Sequence, residues 1–224
     1  MRLEIQQKIS SHSEILNEVK EQLEKGKDDI ISFSGQQKGY CVGLVDIVNS
    51  TRIAAKLSNN RIGEFYSVFL NSMSIIAKKY DAKIIKNIGD SILFYFPTTI
   101  DGDKLKITTS INCALTMIDA KQIINDKIKT LNLPPLCYRI SLDYGVILLA
   151  QSSLSSREDI FGSTVNICSK INRMAQPGGV VIGHDLYQMI QDNLNYDFES
   201  ISSYSAVRKF NYSVHSVKRK TWNQ

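Results

Sequence analysis

Two aspartates stand at the ends of apolar runs in this chain. Asp46 follows Cys41-Val42-Gly43-Leu44-Val45, and Asp90 lies in Lys86-Asn87-Ile88-Gly89-Asp90-Ser91. Hard cations such as Mg²⁺ are usually held by one or two carboxylates together with substrate phosphates. A third segment, Asp159-Ile160-Phe161-Gly162-Ser163-Thr164-Val165-Asn166, opens a helix with small and amide-bearing residues beside a polar loop. Each aspartate alone has a plainer use, because Asp caps helices and Gly-Asp pairs fill hairpin turns. Together, at neighbouring strand ends, the two carboxylates could serve a site with ions ~3.5–4 Å apart, as in two-metal phosphoryl transfer. The turn Ile47-Val48-Asn49-Ser50-Thr51 leads into a helix start whose free N–H groups and dipole favour phosphate. The chemistry indicated is phosphoryl chemistry on a nucleotide.

Further polar residues accompany these segments. Lys86 sits among Ile84, Ile85 and Ile88, as either a solvated edge lysine or a ligand-facing one. Asn166 and Lys170 are four apart on one helix face, which is either solvated or turned into a cleft. Lys+Arg 27 against Asp+Glu 22 gives a net charge of +5 over 224 residues. That mild excess favours anionic ligands, but no dense basic tract with interleaved aromatics indicates nucleic-acid binding. The start, MRLEIQQKIS, has no apolar h-region, and no stretch approaches the ~20 apolar residues of a membrane span. Cys41, Cys113, Cys137 and Cys168 are widely separated and read as reduced core thiols. His12, His184 and His215 form no ligand motif. The expected compartment is the cytoplasm.

These residues must be positioned by an alternating run of elements. Ile5, Ile9, His12, Leu16, Val19 and Leu23 recur at alternating steps of four and three, a coiled-coil seam or a helix packing on its own domain. The domain plan is an N-terminal helix and linker over 1–36, a catalytic domain over 37–219, and a tail over 220–224. Tyr40 to Val48 reads as a buried strand, and Ser50 or Thr51 as the cap of one helix reaching about Tyr80. Strands either side of Ile88-Gly89-Asp90 form a hairpin, and a second helix runs from Asp103 to Leu131 before Pro134-Pro135. Asp143-Tyr144-Gly145 is expected to turn a second hairpin, between Cys137–Leu142 and Val146–Ala150. A helix from Ser163 to Ala175, a strand at Val180-Val181-Ile182, a short helix near Leu186–Ile190 and two late strands follow. The fold class is α+β, a ferredoxin-like βαββαβ core with extensions and helices over a mostly antiparallel sheet.

The segments Asp46 to Thr51, Lys86 to Asp90, and Asp159 to Asn166 continuing to Ala175-Gln176-Pro177-Gly178-Gly179 resemble the signatures of class III nucleotidyl cyclases. The resemblance covers roughly residues 38 to 217, in the family's order. It implies an adenylate cyclase that converts ATP to 3′,5′-cyclic AMP and pyrophosphate, as a homodimer with sites at a head-to-tail interface. It further implies two Mg²⁺ or Mn²⁺ ions per site on Asp46, Asp90 and the Ile47 carbonyl. The turn Val48, Asn49, Ser50, Thr51 would lie on the substrate, with Lys86 and Asp159 reading adenine from the other subunit and Asn166 orienting the ribose. Two departures stand out. Asn49 replaces a glycine, and asparagine tolerates positive φ. Lys170 replaces the transition-state arginine, keeping the charge but losing the planar fork; one lost donor typically costs about 10²–10³ in rate. Arg173, a turn later, is a substitute of lower rank, and the triphosphate base ahead of the last strand has Arg208 and Lys209 as candidates. The competing reading is a catalytically silent cyclase-like module that binds nucleotide or a partner.

Overall fold

A strand with no hydrophobic alternation needs a core on each of its faces, and the segment ending at Asp46 is such a strand. In the computed structural model Cys41, Val45 and Ile47 enter one apolar cluster, while Tyr40, Val42 and Leu44 enter another on the opposite face. The structure describes residues 14–21, 23–24, 31–34, 37–152, 158–207 and 210–221, with the backbone alone at 88, 101, 202–207, 210 and 211. Its strands are β1 (Ile31–Phe33), β2 (Lys38–Ile47), β3 (Lys83–Ile88), β4 (Ser91–Phe96), β5 (Tyr138–Ser152), β6 (Glu158–Phe161), β7 (Val180–Gly183), β8 (Tyr196–Val207) and β9 (Phe210–Arg219). Its helices are α1 (Ser50–Ala54), α2 (Asn59–Lys79), α3 (Lys104–Asp119), α4 (Lys121–Thr130), α5 (Ser163–Ile171) and α6 (His184–Ile190).

The sheet runs β3-β4-β2-β5-β7-β9-β8. Neighbours are antiparallel except for the pair β5 and β7. The segment from β2 to β5 is the expected βαββαβ core. Helices α2, α3 and α4 cover one face, burying Phe65, Phe69, Ile107, Ile111 and Ile128 against Phe94, Phe96 and Tyr138. A Cβ on Gly43 would fall 2.4 Å from the Phe94 ring, so β2 requires glycine where that ring crosses it. On the other face, Val42, Leu44 and Leu93 are covered by Cys168 of α5 and by Ile147 and Ile160, from β5 and β6.

Several boundaries differ from expectation. The helix expected from Ser50 to Tyr80 is two helices, interrupted at residues 55–58, with Ser58 in extended conformation as the second N-cap. Neither Ser50 nor Thr51 caps the first, because Asn49 occupies that position with φ 59° and ψ 28° and no side-chain cap bond. Asparagine thus takes the left-handed conformation that the glycine replacement demanded. The helix expected from Asp103 to Leu131 is interrupted at Ala120, with Asp103 capping α3 through Leu105 N at 2.9 Å. Residues 14–21 are helical, and Leu16, Val19 and Leu23 of the seam are exposed at 55%, 50% and 81%. Ile5, Ile9 and His12 lie outside the described residues.

The second hairpin does not form: β5 continues through Asp143-Tyr144-Gly145, which pair with Val42, Cys41 and Tyr40 of β2. Each residue has a reason to stay extended. Gly145 admits Thr164 of α5, whose Oγ1 would lie 2.5 Å from an added Cβ. Asp143, 1% exposed, accepts from Tyr144 N at 2.9 Å and from the Tyr212 hydroxyl at 2.7 Å. Burial pushes its carboxyl up to about 7, against the lowering effect of these hydrogen bonds, and Asp185 at the start of α6 adds to the rise. Burial, followed by the charge of Asp143, also raises the Tyr212 hydroxyl well above its usual range, so it stays a donor.

A carboxyl that binds its proton more tightly folded than unfolded loses stability as pH rises from its unfolded value near 4 to its folded value. The contribution of Asp143 should therefore fall between about pH 4 and pH 7. Asp143→Asn keeps the shape and removes the titration, so its melting temperature relative to the native chain should rise from pH 5 to pH 8. Parallel melting curves across that range would contradict the assignment.

Candidate active site

Asp46 is the penultimate residue of β2, level with Ser91 on β4 and Arg139 on β5. Ser91 Oγ donates to Asp46 Oδ1 at 2.6 Å. Arg139 donates to Oδ2 from Nη2 at 3.1 Å and Nε at 3.3 Å. Asp90 follows Gly89, whose φ of 62° turns the β3–β4 hairpin as expected. Ile47 N donates to the Asp90 carbonyl at 3.4 Å, which ties this turn to the end of β2. Both carboxylates therefore stand at one end of the sheet. Tyr66 of α2 lies close enough to Asp90 for that charge to add to burial in raising the Tyr66 hydroxyl pKa.

The turn after Asp46 borders a groove of about 540 Å³ lined by Val48, Asn49, Arg52, Lys56, Pro134 and Pro177 among others. Val48 N already donates to Cys137 O at 2.8 Å. Ile53 N makes the first bond of α1, to Asn49 O at 3.1 Å, so the N–H groups of Ser50, Thr51 and Arg52 lack partners within the helix.

Lys86 reaches its position through an irregularity. Ile84 pairs with Phe94, but Lys86 pairs with Leu93, because a bulge intervenes. Without the extra residue, Lys86 would oppose Ile92 and point at the helix-covered face; with it, Lys86 shares the face of Leu93 and Asp46. There Lys86 Nζ donates to Asp159 Oδ2 at 2.6 Å, with side-chain exposures of 43% and 35%. The other Asp159 oxygen accepts from Ile160 N at 2.8 Å. Beside this pair, Lys83 pairs with Glu158. Residues 73 apart in sequence are thereby joined within one chain.

Asn166 and Lys170 both lie exposed on α5, whose other side buries Thr164, Cys168 and Ile171. Gly162 starts that helix at φ 144°, where a Cβ would stand 2.9 Å from Val146 O. Arg173 is exposed on the following turn. Arg208 and Lys209 lie outside the described residues. Arg139, Lys83 and Glu158 were not among the residues expected from sequence. Only the strand register brings Arg139 to Asp46, and no local pattern marks it. Among the described residues no cluster of three or more His, Cys, Asp or Glu is placed to hold a metal. Nor is any described helix long and apolar enough to cross a membrane.

Residues 34–217 match the family model for the adenylate and guanylate cyclase catalytic domain. The chain is 24% identical over 139 residues to a protein named putative adenylate cyclase 3 of Rhizobium meliloti, covering 61% of this chain and 20% of that one. It is 26% identical over 162 residues to one named cytidylate cyclase of Staphylococcus aureus, covering 70% of this chain and 38% of that one. The chain thus spans between about a fifth and two fifths of the curated relatives it matches. Its fold superposes on the crystal structure of the adenylyl cyclase CyaB from P. aeruginosa with a TM-score of 0.74 at 21% identity, covering 83% of this chain and 96% of that one.

An exposed ion pair contributes about 0–1 kcal/mol, and 1 kcal/mol moves the melt of a domain this size by about 2–4 °C. Lys86→Ala and Asp159→Asn should each lower the melting temperature by no more than ~4 °C in differential scanning calorimetry. A much larger fall would mean that the pair holds the fold together, rather than facing a ligand.

Proposed function

The chain belongs to the family of adenylate and guanylate cyclase catalytic domains, and from that premise we propose that it converts ATP to 3′,5′-cyclic AMP and pyrophosphate. The observation that carries the choice of base is the Lys86–Asp159 pair, a donor and an acceptor 2.6 Å apart on an open face. A carboxylate suits the amino group of adenine, whereas guanine presents a carbonyl at that edge. Cytosine also presents an amino group there, and one relative is named a cytidylate cyclase. CTP is therefore the second substrate to test.

The metal side is compatible with the same reading. Two carboxylates and the Ile47 carbonyl are hard oxygen donors of the kind Mg²⁺ and Mn²⁺ take. A carboxylate offers about four acceptor positions, so Asp46 has capacity beyond Ser91 and Arg139. Two such ions would lower the pKa of the ribose 3′-hydroxyl and neutralise charge on the leaving pyrophosphate. The chain's own groups do the rest. The N–H groups of Ser50 and Thr51, with Arg139, meet the triphosphate; Asn166 orients the ribose; Lys170 meets one non-bridging oxygen of the α-phosphate. The ribose 3′-hydroxyl gives its proton to water, and its oxygen attacks the α-phosphorus in line as the bond to pyrophosphate breaks. We assign this work to residues 37–219 acting as a homodimer, with Asp46 and Asp90 from one copy and Lys86, Asp159, Asn166 and Lys170 from the second.

Purified protein with Mn²⁺ should form cyclic AMP from ATP in preference to products from GTP or CTP. Asp46→Ala and Asp90→Ala should each abolish this with little change in the melt; near-full activity in either would remove the metal assignment. If no nucleotide is cyclised with either metal, the silent-module reading stands instead. Mixing Asp46→Ala chains with Asn166→Ala chains should restore part of the activity, because each heterodimer rebuilds one site, and a mixture as inactive as its parts would place the site within one chain. An ammonium meets one phosphate oxygen where a guanidinium meets two. Lys170→Arg should therefore raise kcat with little change in KM, and Lys170→Ala should lower kcat by about 10²–10³. Unchanged kcat in both would make Lys170 a solvated bystander.

A further inference from the structure

Strand β6 is four residues long and takes its backbone pairing from β5. Toward β3 it offers side chains instead, Glu158 to Lys83 and Asp159 to Lys86. A single Glu158 oxygen, Oε2, accepts from both the Lys83 ammonium and the Tyr95 hydroxyl, the latter at 3.3 Å. Tyr95 is 3% exposed, and its ring lies edge-on to Tyr40 at 5.5 Å. Burial first, and then the Glu158 charge, raises the Tyr95 hydroxyl far above its usual range, so it remains a donor. Glu158 is thus tied to β3 and to β4 at once, and the next residue is Asp159. Among the described residues the Asp159 carboxylate has weaker anchorage of its own: one oxygen is bonded within its strand, and the other to an exposed lysine.

We propose that Glu158, held by Lys83 and Tyr95, is a positioning residue for base choice that fixes where the Asp159 carboxylate stands without itself touching the nucleotide. This rests on the reading of Lys86 and Asp159 as the base-recognising pair. A carboxylate displaced by about 1 Å can lose up to 10²-fold in a site that depends on geometry. Discrimination suffers before affinity does, because adenine and guanine differ at one edge while the sugar and phosphates are shared.

Binding of α,β-methylene-ATP and α,β-methylene-GTP, with kcat/KM for ATP and GTP alongside, tests the proposal. Glu158→Gln and Lys83→Ala should each lower the ATP-to-GTP ratio by about five- to tenfold, and Tyr95→Phe by less. The exchange Lys83→Glu with Glu158→Lys should recover part of the loss, and Asp159→Asn should lower the ratio at least as far as Glu158→Gln. If Asp159→Asn collapses the ratio while Glu158→Gln and Lys83→Ala leave it native, Glu158 merely fastens strands and the proposal is wrong. If Asp159→Asn also leaves it native, the base-site reading itself fails and the proposal falls with it. Melts of every variant are compared: a changed ratio supports positioning only in chains that melt within about 4 °C of native, and a change confined to chains that unfold counts against it.

Discussion

Strand β5 begins beside Asp46 and has Asp159 paired near its far end, and it cannot stay straight. Its first half is held by β2 on one edge and β7 on the other, while its second half carries β1 and β6. The level of Lys86 continues through Leu93 and Leu44 to Ser141, yet Asp159 pairs with Ala150, nine residues further on. For Lys86 to meet Asp159, the second half of β5 must fold back over the face of β2 and β4. The exposed ion pairs do not supply the force for this, since each contributes at most about 1 kcal/mol. Leu44, Leu93, Ile147 and Ile160, buried together beneath the fold-back, supply more, at about 1.5–3 kcal/mol for each fully buried aliphatic side chain. The apolar cluster is the larger contribution to the fold-back.

Two carboxylates on this same face are treated in opposite ways. Asp46, partly exposed, has a guanidinium beside it and a hydroxyl on its other oxygen. Asp143, four levels along the β2–β5 ladder, is sealed under Gly183 and α6 with neutral donors. Arg139, within reach of water, gives Asp46 a counter-charge. For Asp143, desolvation raises the pKa instead. The contrast separates a partly exposed carboxylate at a strand end from one that fastens β5 to β9.

Much of this fold and site is legible in the order of amino acids. Most strands and helices and the carboxylates at strand ends follow from short-range pattern. Strand β1, inside the expected linker, and β6, where Asp159 is expected in a loop opening a helix, do not, and the left-handed Asn49 is expected only from the family resemblance. The misses share a physical cause. Residues 55–58 and Ala120 include no glycine or proline, so the interruptions there leave no trace in the pattern. Asp143-Tyr144-Gly145 has the composition of a turn, and it is straightened by Thr164 and Tyr212, which lie far along the chain.

The amino-acid sequence by itself determined which residues carry charge and oxygen donors and which segments bury, because these depend on side-chain chemistry and on neighbours within a few positions. Tertiary structure alone decided that Lys86 faces Asp159, that Arg139 stands against Asp46, and that Glu158 is shared by Lys83 and Tyr95. Each of those depends on strand register. A one-residue bulge near Ile85 moves Lys86 from one face of the sheet to the other, and the competition between cores that places such a bulge spans the whole chain.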